Sequence, residues 1–181
     1  MTEKDRLLEL RIENKHLKDQ VLNLEEKVLS LVGMISLETS GGLSKKNLLN
    51  DLLINLIQET KEQLNIVSPK VGKFYAMELK KVVERGIPIL LITNDRGGIP
   101  QEYQEYYDEL KTTQGINIVN NPNIKYLLIF NTEVAIYAGG SLDKNELERS
   151  ILIVTMVKET SKLRQIAEIF SLMLPSFMRG K

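Results

Sequence analysis

Hydrophobic positions in the first 36 residues recur at alternating intervals of three and four, with no proline among them. Heptads counted from Leu7 put Leu7, Asn14, Val21, Val28 and Ile35 at the a positions. The same frame puts Leu10, Leu17, Leu24 and Leu31 at the d positions. A repeat of 3.5 residues keeps one stripe of a helix against its neighbour, and β-branched residues at a with leucine at d favour two parallel strands. Asn14 interrupts the stripe. A buried asparagine at a is satisfied by its symmetry mate, so it lowers stability while selecting dimers in register. The flanking charges agree in part, since Glu13 reaches Lys18 of the opposite helix but Arg6 meets Arg11. The pattern predicts a parallel coiled-coil dimerisation helix over residues 1–39, closed by the Ser40-Gly41-Gly42 break, with Gly41–Gly42 as a swivel.

Beyond the break, residues 43–181 alternate between two other periods. Leu48, Leu49, Leu52, Leu53, Leu56 and Ile57 give a helix over 44–63, and the apolar run 64–67 reads as a buried strand stopped by Ser68-Pro69. Phe74, Met77, Leu79, Val82 and Val83 give a helix over 71–85 that ends at Gly86. A strand over 87–93 follows, then a helix over 101–113 with Tyr103, Tyr106, Tyr107 and Leu110 at core spacing. Residues 116–119 form a third strand, and 125–130 with 133–138 form a hairpin across Asn131-Thr132. A loop over 139–143, a sixth strand over 151–157 and a helix over 159–174, stopped by Pro175, complete the chain. Strand–helix alternation implies a parallel start to the sheet, and the hairpin a mixed remainder. The fold class is α/β.

Composition removes several functions. Lys+Arg and Asp+Glu both number 24, so the chain lacks the surplus of positive charge that a nucleic-acid-coating protein carries, and only a local patch would bind nucleic acid. Without cysteine there is no disulfide, thiolate nucleophile or cysteine-held zinc. No apolar run approaches the roughly 18–20 residues of a membrane span, so the expected compartment is the cytoplasm. No metal or cofactor is expected. The single histidine, His16, falls at position c and faces solvent.

The helix before Leu64-Asn-Ile-Val-Ser-Pro, the helix ending Glu84-Arg85-Gly86-Ile-Pro-Ile, and the run 123–141 together resemble a phospholipase D-like domain across 44–175. The signature of that family is H-x-K-x-x-x-x-D followed by a Gly-Ser-x-Asn loop. The resemblance implies a histidine that forms a covalent phospho-enzyme, with the lysine and the loop holding phosphate oxygens. In this chain Asn123 stands at the histidine and Phe130 at the aspartate; a shift of one residue puts Ile124 and Asn131 there. Neither asparagine nor isoleucine can accept a phosphoryl group. Lys125 is retained, and Gly140-Ser141-Leu142-Asp143 resembles the Gly-Ser loop, displaced by a few residues. The ligand-binding candidates are therefore Lys125, Ser141, Asn123 and Ser68, with no catalytic residue.

A coiled coil followed by a domain of this kind looks like the effector half of TrmB-type archaeal transcription regulators. Those carry a winged-helix DNA reader before the coil, whereas this sequence starts on the coil. The first expectation is a non-catalytic homodimeric interaction or scaffold protein, its dimer built on the parallel coil and its protein partner unidentified. One alternative is an effector module that senses a small anionic or polyol ligand. A residual nuclease or phosphodiesterase is the third. A polar cleft at the strand ends favours sensing; an exposed apolar patch favours a scaffold. Replacing Asn14 by isoleucine should raise the melting temperature of the coil while admitting trimers or shifted registers. Light scattering that finds only dimers in the Asn14→Ile protein would contradict a register-selecting role.

Overall fold

Short apolar runs without a polar face become strands buried on both sides, as in β2 and β3 here, where helices separate the parallel strands. The computed structural model describes residues 3–32, 34–41 and 48–178. Helix α1 (Glu3–Val32) leads into β1 (Ile35–Ser40), and then come α2 (Leu48–Glu59), β2 (Leu64–Val67), α3 (Lys73–Glu84) and β3 (Ile89–Thr93). After them follow α4 (Gln101–Thr112), β4 (Ile116–Asn120), β5 (Tyr126–Phe130), β6 (Ala135–Gly139), α5 (Lys144–Arg149), β7 (Leu152–Val157) and α6 (Thr160–Leu172). The strands form one seven-stranded sheet in the order β1-β7-β6-β5-β2-β3-β4. β2, β3 and β4 run parallel, while β1, β7, β6, β5 and β2 pair antiparallel in succession. This is the mixed sheet that the strand–helix alternation and the hairpin imply.

Two cores flank the sheet. On one face α2, α3, α4 and α5 bury Leu49, Leu53, Tyr75, Leu79, Leu110 and Leu147 against Ile66, Leu91 and Ile129. On the other face, among the described residues, α6 and the segment after it supply the cover, with Leu163, Phe170 and Leu174 packed on Val67, Ile92, Leu128 and Phe130. Polar side chains tie the helices of the first face together. The Tyr75 hydroxyl donates to Asn50 Oδ1 at 2.7 Å, and the Arg85 guanidinium donates to the terminal α2 carbonyls of Ile57 and Gln58. Gly86, at φ 80°, turns the chain out of α3 as its position after the last periodic residue requires.

Three expectations are corrected. Ile35, taken as the last a position, is the first residue of β1, and Ile35–Ser40 is an edge strand paired with β7 rather than the end of the helix. Its apolar residues alternate with Ser36, Glu38 and Ser40, a period of two that the heptad frame concealed. Gly41 is no free swivel, because it sits at φ 84° with its α-carbon against the Ser150 carbonyl; Gly42 lies outside the described residues. Met77, read as a core residue of α3, is exposed, and Tyr75 takes the buried position.

Helix α1 makes no core of its own. Leu10, Leu17, Val21, Leu24 and Val28 are all more than half exposed in the single chain. Asn14 is exposed on the same helix, whereas the side chains of Leu7 and Leu31 lie outside the described residues. Among the described residues no helix is long and apolar enough to cross a membrane.

The contact at Gly41 generates a stability prediction. A β-carbon there would lie 2.1 Å from Ser150 O, whereas one at Gly86 would meet nothing within 4 Å. Both substitutions force alanine into the left-handed region at a cost of about 1–2 kcal/mol. Gly41→Ala should therefore lower the urea midpoint clearly more than Gly86→Ala. Equal losses would show that the approach to Ser150 is not a real constraint.

Candidate functional site

The carboxyl ends of β2 and β3, the entry to β5 and the exit from β6 meet at one end of the sheet, where open α/β sheets commonly form their ligand crevices. A cleft of about 420 Å³ opens there. Lys70, Asn94, Lys125, Ser141 and Glu146 supply its polar lining, with Pro69 and Pro100 as apolar walls.

Backbone pairing between two loops builds this wall. The fully buried Ser68 donates its Oγ hydrogen to Lys70 O at 2.6 Å and accepts from Leu142 N at 2.9 Å. Gly72 N donates to Leu142 O at 2.7 Å, so the loops after β2 and β6 are joined side by side. Asp143 then caps α5 by accepting from Glu146 N at 2.8 Å, a helix-start device. A β-carbon at Gly72 would lie 2.2 Å from Asp143 Oδ2, so any larger residue there would displace the capping carboxylate.

Capping aims Glu146 into the cleft. Its carboxylate accepts from Ser141 Oγ at 2.6 Å and pairs with Lys70 Nζ at 3.0 Å. Lys70 Nζ also lies 4.5 Å from the centre of the Tyr103 ring, a cation–π contact. Partial burial pulls the Lys70 pKa down, but Glu146 and Tyr103 outweigh it and leave the ammonium above its ordinary value. Burial, followed by the charge of Asp143, raises the Tyr103 phenol. Asn94 Oδ1 is the odd group: it is buried and has no hydrogen-bond partner. An unpaired buried acceptor costs about 1–3 kcal/mol.

The structure brings Lys125 and Ser141 together in the cleft. It does not bring Ser68 or Asn123 there. Ser68 stands behind the wall with its hydroxyl engaged on both sides, and Asn123 sits in the exposed turn before β5, its N–H donating to Asn121 Oδ1. The other signature positions serve the framework. Ile124 is buried in the α6-side core, Phe130 packs edge-on against Phe170, and Asn131 closes the hairpin by accepting from Glu133 N and Val134 N. His16 lies on α1, where a ring nitrogen pairs with Gln20.

Sequence reasoning missed Lys70, Asn94 and Glu146 as site residues. Lys70 and Asn94 each follow a strand end, which was the available signal for two of them. Asp143-Lys-Asn-Glu146 fits the pattern of a capped helix start and was the signal for α5 and Glu146.

With this geometry in hand, comparison with solved structures defines the class: the chain has a phospholipase D-like α/β fold that resembles TrmB-type proteins. NucT from Helicobacter pylori superposes with a TM-score of 0.63 at 16% identity, over 77% of this chain and 94% of that one. The phospholipase D family member Nuc from Salmonella typhimurium gives 0.64 at 12% identity, over 81% and 97%. TrmBL2, an archaeal chromatin protein whose structure shows a novel mode of DNA binding, gives 0.56 at 12% identity, over 93% and 63%. A match over 93% of the chain reaches back into α1, which alone holds 30 of the 181 residues. No protein-family model and no curated protein sequence matches the chain.

The raised Lys70 pKa sets a pH dependence. A lysine whose folded pKa is raised adds stability that is complete below its unfolded pKa, near 10.5, and is lost as the pH rises through the folded value. Lys70→Gln should therefore melt below the unmodified protein at pH 8, with the gap closing well above pH 10.5. A gap that stays constant into strong alkali would mean that the ion pair with Glu146 adds nothing.

Proposed function

We propose that the chain is a non-catalytic homodimeric sensor module, in which the α1 coil joins two phospholipase D-like domains and each strand-end cleft takes a small hydroxyl-rich ligand. The polar lining of the cleft carries this reading, because Lys70, Lys125, Ser141 and Glu146 converge at the strand ends around it. Glu146 points the same way. The Ser141 hydroxyl, which the family resemblance assigns to phosphate oxygens, here donates to a carboxylate, and Lys70 is paired with that carboxylate. The cleft therefore presents acceptors at its wall and keeps Lys125 as a second cation. A polyol satisfies such a surface better than a phosphodiester does.

Phosphoryl transfer by the family route needs an imidazole nucleophile, and the sequence has one histidine, on α1. Direct reading of DNA, the property stated for TrmBL2, finds no support in the balanced charge. The scaffold reading draws on the sheet face that α6 leaves uncovered, where Leu37, Tyr137 and Ile153 are exposed.

A thermal-shift screen of the full chain against polyols, sugars and organic phosphates tests the proposal. A hydroxyl-rich compound at a hundredfold excess over its dissociation constant should stabilise the protein by about 2.7 kcal/mol. Glu146→Gln should weaken that shift at least tenfold in apparent affinity. Absence of any shift would favour the scaffold. Turnover of a chromogenic phosphodiester that disappears in Lys125→Ala would overturn the non-catalytic assignment.

A further inference from the structure

A second cleft, of about 590 Å³, opens at the end of the sheet opposite the strand-end site, between α6 and the starts of β2 and β3. Its floor is apolar. Phe130 at the end of β5 and Phe170 of α6 meet edge-on with ring centres 5.2 Å apart, and Leu90, Leu163 and Met178 continue the surface. Helix α6 stands off from the sheet here. Leu163 and Phe170 are 6% and 4% exposed, yet Ala167, on the same helical face between them, is exposed. Leu90 and Asn65 are half-buried, whereas Ile92 and Val67, two residues further along the same face of each strand, are fully buried. The single methyl of Ala167 leaves that space open.

The rim decides what fits. Its amides are engaged within the chain. Gln63 Nε2 donates to Asn65 Oδ1 at 2.7 Å, and Asn131 Nδ2 donates to Thr60 Oγ1 at 3.1 Å while its Oδ1 accepts from Glu133 N and Val134 N. The charged groups are not engaged. Arg164 of α6 is the cation of the lining and Glu62, in the loop before β2, its carboxylate. Both are exposed, and among the described residues neither is in an ion pair. Thr160 precedes Arg164 by four residues, so its hydroxyl borders the same side of the cleft. We propose that this cleft binds an amphipathic monocarboxylate, its hydrocarbon body on the Phe130–Phe170 floor and its carboxylate on Arg164. A doubly charged head such as phosphate would be repelled by Glu62, so a single negative charge suits the rim. No residue lines both clefts, and this inference stands apart from the sensor reading.

Equilibrium dialysis of the full-length protein against labelled decanoate below its micellar concentration, with decanol in parallel, tests the proposal. Saturable binding of one decanoate per chain is expected. Arg164→Gln should weaken decanoate by about tenfold, the loss of a charge-assisted pair, and leave decanol unchanged. Ala167→Leu fills the gap with a good helix former, and should abolish binding of both compounds without lowering the melting temperature. Decanoate that never saturates, or that binds Ala167→Leu as tightly as the unmodified protein, would overturn the site. Decanoate unaffected by Arg164→Gln, or weakened no more than decanol, would overturn the carboxylate assignment. Arg164 is exposed, so that variant keeps the test decisive even if Ala167→Leu fails to fold.

Discussion

A seven-stranded sheet has two faces to keep from water, and this chain supplies four helices for one face and a single helix for the other. The remaining features follow from that imbalance. The helix-rich face holds the larger core and fixes the order of β2, β3 and β4, whose parallel pairing requires the crossovers through α3 and α4. The other face is closed over β4, β3, β2 and β5 and reaches Ala135 of β6 and Val157 of β7. Farther along that face Leu37, Tyr137 and Ile153 are exposed, and on α1 Leu10, Leu17, Val21, Leu24 and Val28 are exposed as well.

The cleft depends on a more local constraint. Ser68 joins the loops after β2 and β6, Gly72 allows Asp143 to approach, and Asp143 starts the helix that carries Glu146. Each step is a satisfied backbone or hydroxyl group within the chain itself. Within that wall the exception is Asn94 Oδ1. That atom is buried at the edge of the cleft and, among the described residues, lacks a hydrogen-bond partner.

Much of the fold was legible in the sequence because apolar runs of four to six residues bounded by Ser-Pro, Gly or Asn-Thr behave as strands whatever surrounds them. β2 and the β5–β6 hairpin are of this kind. β1 escaped because Ile35 satisfies two periods at once, the seven of the coil and the two of a strand, and only pairing with β7 decides between them. α5 escaped because six residues are too few to show a helical period. In the site, Lys125 and Ser141 were reachable through the family signature, whereas Asn123 was reachable only as a letter at a position and stands outside the cleft. Lys70, Asn94 and Glu146 converge from three separate connections, and no spacing along the chain records that convergence.

The account turns on the second copy, and sedimentation equilibrium of the full-length protein weighs it without any variant. A mass of twice 20.7 kDa, held across dilution into the low micromolar range, is the predicted result. A mass of 20.7 kDa at every concentration would leave the α1 stripe in water and would contradict the account.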